Sequence, residues 1–102
     1  SCNAKYQVVD HILKEGEGYK LLDMVSKPFD CIVADCENCL HKEYEKNPML
    51  FDNVKYIQVE RDDIQLDKDN YTSMFNRLGM TMIDDGKGKG CSGNCATEVW
   101  GR

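Results

Sequence analysis

One stretch of the sequence, Phe29–Asp35 (FDCIVAD), restricts the possible folds more than any other. It is a continuous apolar run that ends in polar residues. Strands buried on both faces have this composition, and they occur in parallel sheets that carry helices. A second segment, Val54–Glu60 (VKYIQVE), is rich in β-branched and aromatic residues and also ends in a charge cluster. The two segments predict an α/β fold with neighbouring parallel strands.

Helix-like segments separate these strands. An apolar stripe at Val8, Val9, Ile12 and Leu13 predicts a helix over Lys5–Lys14 that ends at Gly16 and Gly18. A short helical turn is expected around Leu21–Val25, and Leu40–Lys46 is a third helix stopped by Asn47–Pro48. The clearest helical spacing is that of Tyr71, Met74, Phe75 and Leu78, with Asp69 or Asn70 as the N-cap and Gly79 at the C-terminal end.

The C-terminal part of the chain predicts two strands without a helix between them. Met80–Asp84 (MTMID) and Ala96–Trp100 (ATEVW) are the strands, and the glycine-rich segment Asp85–Asn94 joins them. Gly86–Gly90 follows a strand and opens no helix, so we expect a flexible turn and not a phosphate or cofactor cradle. The whole order predicts a mostly parallel sheet, flanking helices and a C-terminal antiparallel hairpin, in a single domain over 1–102.

Charge and length exclude several classes of function. The 102 residues carry a formal net charge of −5 with acids and bases interspersed, which disfavours nucleic acid as the main partner. No apolar run approaches the ~20 residues that a transmembrane helix needs. The numbering begins at Ser1 and not at Met, so we expect processing or a longer parent chain, with an organelle or secreted location among the possibilities. The compartment is not determined.

The segment FDCIVADCENCLHKEYEKNPMLFDNVKYIQVERDD resembles the fourth strand, following helix and fifth strand of FkbM-type S-adenosylmethionine (SAM) methyltransferases. That family carries an acidic motif, D-x-E-G-x-E, after an apolar strand, and a later strand that ends in Glu. Asp35, Glu37 and Glu60 match these acids, whereas Asn38 replaces the motif's Gly and Leu40 replaces its last Glu. The segment NYTSMFNRLGMTMID is similar to the next helix and the sixth strand, and CATEVWGR to the antiparallel seventh, so that the likeness covers about residues 5–102.

The resemblance implies half of a class I methyltransferase-like sheet with the strand order 4-5-7-6. It places Asp35, Glu37 and Glu60 at the carboxyl edge of the sheet, near substrate or cofactor in the intact family. The alternative is that these acids cap a helix or are simply solvated. The family's glycine-rich SAM loop and its ribose-binding acid would both precede Ser1. We therefore expect no cofactor on this chain alone, and SAM only if a missing N-terminal half is present.

Six cysteines leave several chemistries open. Cys36, Cys39, Cys91 and Cys95 are a candidate four-thiolate zinc site, although we expect no metal. Cys36 and Cys39 form a C-x-x-C at a strand-to-helix junction, as in thiol-redox proteins, but Pro28 and Pro48 are not placed to face it. Together with Cys31 they also have the spacing of a plant-type [2Fe–2S] site, which we attribute to chance. One or two disulfides, or none, are expected more than full pairing.

Three classes of function remain. The favoured one is a non-catalytic accessory protein, a small subunit that contacts protein partners in a larger assembly. The alternatives are a fragment of a SAM-dependent O-methyltransferase and a cysteine-based zinc or thiol-redox module. The accessory role predicts a contact along the apolar strand, whose edge would otherwise stay open. The expected contact residues are Phe29, Cys31, Ile32, Val33 and Ala34. His11 and His41 stand alone on predicted helices and are expected at the surface.

Overall fold

The structure is a computed structural model, which describes residues 7–9, 12–25, 28–36, 39–86 and 95–102. The elements in chain order are α1 (Glu17–Met24), β1 (Cys31–Ala34), α2 (Leu40–Lys46), a 3₁₀ helix (Pro48–Phe51), β2 (Tyr56–Arg61), α3 (Lys68–Leu78), β3 (Thr81–Asp84) and β4 (Ala96–Gly101). The predicted α/β class is confirmed. None of the described helices is long and apolar enough to cross a membrane.

The described strands form one sheet in the order β1-β2-β4-β3. β1 and β2 are parallel, with Ile32 opposite Ile57. β4 is antiparallel to both of its neighbours and places Trp100 opposite Ile57 on one side and Met82 on the other. Because β4 lies between β2 and β3, only one strand pairing in the described sheet is parallel. The sheet is therefore mixed, whereas the sequence predicted a mostly parallel one.

The hydrophobic core lies on one side of the sheet. Ile57 and Val59 of β2 are fully buried at 0% exposure. The predicted inward face of α3 is confirmed, since Tyr71, Met74, Phe75 and Leu78 are all buried. Other buried members of this core come from β1, α2, the 3₁₀ helix and the segment before β2: Ala34, Leu40, Leu50, Phe51 and Val54.

Truncation of the central strand tests this core. Ile57→Ala is expected to lower the free energy of unfolding by about 2–5 kcal/mol, because a fully buried side chain leaves a cavity when it is removed. Urea unfolding followed by circular dichroism measures the change. Gln58→Ala, at an exposed position of the same strand, is the matched control and should change stability by less than about 0.5 kcal/mol. A similarly small loss for Ile57→Ala would contradict the burial of this strand.

The helix predicted over Lys5–Lys14 is wrong in the described residues, because 7–9 and 12–14 are not helical. Backbone N–H groups here bond to side chains instead: that of Leu13 donates to Glu43 Oε2 at 3.0 Å, and that of Lys14 to Glu17 Oε1 at 2.8 Å. Gly16 does not end a helix but precedes α1, with a left-handed φ of 86° that favours glycine. The short turn predicted around Leu21 corresponds to the second half of α1.

Asn47 holds this N-terminal segment against the end of α2. Its side chain is fully buried at 0% exposure. Its Oδ1 accepts from the backbone N–H groups of Gly16 and Gly18, at 3.0 and 2.9 Å. Its Nδ2 donates to the carbonyl of Lys14 at 3.1 Å and to Glu43 Oε1 at 3.2 Å. The sequence identified Asn47 only as a helix stop, but it joins two parts of the chain.

Gly18 is fixed by this same contact. A Cβ atom at this position would lie 2.9 Å from Asn47 Oδ1 and 2.7 Å from Met49 Sδ. Such distances are too short for carbon, so only glycine lets α1 approach the 3₁₀ helix this closely. Gly18 was predicted to end a helix, whereas it lies inside α1 for a packing reason.

The start of α3 also differs from the prediction. The helix begins at Lys68 with Asp67 as its N-cap, at a φ of 54°, and not after Asp69 or Asn70. The Asp67 side chain is used elsewhere, in a contact with His41. The predicted C-terminal end is confirmed, since Gly79 takes the left-handed conformation with a φ of 69°.

β1 occupies one edge of the described sheet. Ala34 is buried and Ile32 half-buried, but Val33 is 69% exposed. The composition of this segment predicted burial on both faces, and for Val33 that prediction is wrong in the described structure. The reason is that its side chain points away from the core, to a sheet face that no described helix covers.

Candidate functional site

Two acids meet where the parallel strands end. Asp35 directly follows β1, and Glu60 is the penultimate residue of β2. The register places Ala34 opposite Val59, so Asp35 and Glu60, which follow them, lie side by side at the ends of adjacent strands. Both residues are exposed, and Asp35 is close enough to Glu60 to raise the pKa of its carboxyl group. The carboxyl edge of a parallel pair is where open α/β sheets bind ligands. Glu37, the third predicted acid, lies outside the described residues.

The contact between the acids changes the protonation of Glu60. The hydrogen bond with Asp35 raises the pKa of Glu60 above its ordinary value, and the negative charge of Asp35 acts in the same direction. Partial desolvation and the charge of Asp62 add smaller effects. When one proton is shared, protonated Glu60 donates to the Asp35 carboxylate. The pair can therefore hold a proton or, when both groups are ionised, attract a cation.

This pair predicts a pH dependence of stability. Because the pKa of Glu60 is raised in the folded state, its stabilising contribution is complete below the unfolded-state pKa. It is lost as the pH rises through the folded-state pKa. An NMR titration of the Glu60 carboxyl carbon should show a raised pKa in the native chain and a lower one in Asp35→Asn. An identical titration in both proteins would contradict the contact.

Beneath this edge lies a buried ion pair between β2 and β4. Arg61 Nη1 lies 3.2 Å from Glu98 Oε1, and each side chain is only 7% exposed. Arg61 Nη2 donates to the carbonyls of Ile64 and Leu66, at 2.8 and 3.3 Å. Trp100 Nε1 donates to Glu98 Oε1 at 3.1 Å. Buried charges need such partners to offset the loss of water, so this network fixes the turn that follows β2.

Aromatic and imidazole rings extend the network toward α2. The Arg61 guanidinium lies 4.5 Å from the centre of the Tyr71 ring. The His41 ring meets that of Tyr71 edge-on, with centroids 5.1 Å apart, and His41 Nε2 lies 3.2 Å from Asp67 Oδ2. Burial raises the pKa of Tyr71, and the charge of Arg61 partly offsets this.

His41 is only 6% exposed, so its predicted surface position is wrong. Its Nδ1 is buried and has no hydrogen-bond partner among the described residues. His11 lies outside them.

The cysteines of the described residues are all oxidised. Cys36 and Cys39 form a disulfide with each other. Cys31 and Cys95 each take part in a disulfide as well. Disulfide sulfurs are not thiolates, so Cys36 and Cys39 are not zinc ligands in this state. In the described part of the chain, no three or more His, Cys, Asp or Glu side chains are grouped so that they could hold a metal ion. Cys91, the fourth candidate ligand, lies outside that part, so the four-cysteine zinc site remains an untested alternative.

A cleft of about 280 Å³ opens at the opposite end of the parallel strands. It lies between α1 and the 3₁₀ helix, with Tyr19, Leu22 and Met49 among its lining residues. Pro28 and Asn53, which precede β1 and β2, also line it. The cleft is therefore at the amino edge of the sheet and shares no residue with the acid pair.

Sequence reasoning identified the acids but missed the buried charges. The signal for Arg61 was the alternation of β2, because Ile57, Val59 and Arg61 share one face of the strand. In the same way Glu98 lies between Ala96 and Trp100 on the core face of β4. His41 and Asn47 gave no comparable signal, since their burial depends on contacts with distant segments.

Comparison of the chain with protein-family models, with curated proteins and with solved structures gives no match.

Proposed function

We propose that this domain is a non-catalytic interaction module that contributes half of a methyltransferase-like sheet to a larger protein assembly. One observation carries the proposal: β1 is an edge strand of the described sheet, and its outward residue Val33 is 69% exposed. An apolar edge strand readily pairs with another chain unless something covers it. The expected contact comprises β1 and Phe29, as the sequence predicted.

The resemblance to FkbM-type methyltransferases supports the proposal, because it implies a neighbouring strand next to β1. In a sheet of that kind the strand equivalent to β1 is interior, with further strands beyond it. The observed order β1-β2-β4-β3, with an antiparallel β4, is consistent with the order 4-5-7-6 implied by the resemblance. A partner that adds strands beyond β1 would use the same edge.

Hydrogen exchange tests the contact. In the native assembly the β1 amides that point away from β2 should exchange slowly, and in the isolated chain they should exchange faster than the amides of β2. Val33→Lys, which puts a charge on the outward side of the edge strand, should weaken assembly measured by light scattering. Thr72→Lys, at an exposed position of α3, is the control. Equal exchange along β1 in the assembly and in the isolated chain would contradict the proposal.

A second candidate is part of a SAM-dependent O-methyltransferase, and the meeting of Asp35 and Glu60 at the carboxyl edge favours it. Calorimetric titration of SAM separates the two candidates. An accessory module binds no SAM, either as the isolated chain or within its native assembly. A fragment of an enzyme gains a SAM site when the rest of that enzyme is present, and this site should respond to Glu60→Gln.

A further inference from the structure

The sheet has a second face that no described helix covers. Because Ile57 and Val59 point into the core, Tyr56, Gln58 and Glu60 point the other way. The register aligns Val33, Gln58 and Val99 across three strands. Ile83 of β3 belongs to the same face, since a Cβ on Gly101 would lie 2.5 Å from Ile83 Cδ1 and 3.1 Å from Tyr56 Cδ1. We name Val33, Tyr56, Ile83 and Val99 the open face.

The open face is apolar and accessible. Val33 is 69% exposed, Ile83 58% and Tyr56 38%, and Val99 is half-buried. Four strands at ~4.8 Å spacing make a surface roughly 14 Å wide. A helix with its side chains is about 10 Å across, so one helix fits along the strands.

The charges beside the open face specify the covering element. Asp35 and Glu60 continue the outward alternation of Val33 and Gln58, so the acid pair lies at the carboxyl end of this same face. A helix over Val33 and Tyr56 reaches the pair with one of its ends. An arginine or lysine there would contact both carboxylates and offset the repulsion between their negative charges. An anionic membrane surface is disfavoured by these same acids, and a second copy by the net charge of −5.

We propose that the open face docks an amphipathic helix of a partner protein, whose apolar side covers Val33, Tyr56, Ile83 and Val99 and whose basic end lies over Asp35 and Glu60. The inference rests on the proposed interaction role and adds the chemistry of the partner. The helix occupies the sheet face, whereas a strand-adding partner occupies the β1 edge.

Designed peptides test this directly. The probes are fluorescein-labelled helical peptides of about 14 residues, roughly 21 Å long, with leucines on one side. One carries two C-terminal arginines and its match carries two glutamines. Fluorescence anisotropy should show the arginine peptide binding the native chain about tenfold more tightly, as expected for charge-assisted contacts. Asp35→Asn with Glu60→Gln should remove this difference and leave the binding of the glutamine peptide unchanged.

Variants of the open face provide the second arm. Val33→Asp should weaken both peptides about tenfold or more, whereas Thr72→Asp, with the same added charge at an exposed position of α3, should not. Circular dichroism checks that each variant is folded. Equal affinities of the two peptides for the native chain would overturn the role of the acids. If neither peptide binds, the proposal that a helix occupies the open face is wrong. This holds whether the chain is a monomer or forms a dimer that Val33→Asp disrupts.

Failure of this inference is distinguishable from failure of the proposed function. Protection of the β1 amides in the native assembly without any peptide binding would leave the interaction role intact and reject the helical partner. Peptide binding to the open face without protection of β1 in the assembly would leave the helical partner intact and reject the proposed contact at the β1 edge.

Discussion

Glu98→Leu is expected to lower the free energy of unfolding by about 3–5 kcal/mol. The reason is the charge that it leaves behind. Arg61 is 8% exposed, and Glu98 is the acid that pairs with it, at 3.2 Å. Without Glu98 the guanidinium stays buried with only the carbonyls of Ile64 and Leu66 and the Tyr71 ring as partners. Trp100 Nε1 also loses its acceptor.

The measurement is urea unfolding under non-reducing conditions, so that the disulfides stay intact. Trp100 is the single tryptophan of the chain and stacks on Phe75 with ring centroids 3.9 Å apart, so its fluorescence reports unfolding. Circular dichroism shows whether the change in tryptophan fluorescence reflects unfolding of the whole domain or only a local change around Trp100. Thr97→Val on the opposite face of β4 is the control. In a double-mutant cycle, Arg61→Met with Glu98→Leu should cost less than the sum of the single variants. A loss below about 1 kcal/mol for Glu98→Leu would mean that Arg61 is not buried with its charge.

Asn47→Asp is expected to cost about 2–4 kcal/mol, although it changes only one atom of the side chain. The introduced carboxylate can still accept from the N–H groups of Gly16 and Gly18. Its second oxygen, however, would face the carbonyl of Lys14 and the Glu43 carboxylate, which now receive hydrogen bonds from Nδ2 at 3.1 and 3.2 Å. Two acceptors without a donor, in a site with 0% exposure, destabilise the fold.

Acid should partly restore this variant, because a protonated carboxyl regains one donor. Thermal unfolding at neutral pH and at about pH 4, near the ordinary pKa of a carboxyl group, measures the effect. Asn53→Asp, at an exposed position after the 3₁₀ helix, is the matched control and should change little at either pH. If the loss for Asn47→Asp were the same at both pH values, electrostatic repulsion would not be its cause.

The sequence was most informative where structure depends on local pattern. The β-branched and aromatic composition of β2 and the i, i+3, i+4, i+7 spacing in α3 identified both elements, because these signals lie in the local sequence alone. The meeting of Asp35 and Glu60 was predictable for the same reason. Two parallel strands that each end in an acid bring those acids to one edge of the sheet.

What failed depended on contacts between distant segments. Val8 and Ile12 have helical spacing, but the neighbouring N–H groups of Leu13 and Lys14 bond to side chains, so a weak local preference gave way to tertiary contacts. The exposure of Val33 depends on whether a helix covers the outer face of the sheet, and a single strand's composition does not contain that information. The burial of His41 likewise requires Asp67 and Tyr71, which lie 26 and more residues later in the chain.

The position of β4 between β2 and β3 has a consequence for the order of folding. Within the described sheet β3 has β4 as its sole neighbour, so it cannot join until residues 96–101 have been synthesised. During translation β1, α2 and β2 can pair first, because they are close in sequence. The β3–β4 hairpin then adds as a unit, and closing the long segment after β2 costs loop entropy. Until that moment the β4-facing edge of β2 is open, which makes the nascent chain most prone to wrong pairing just before β4 emerges.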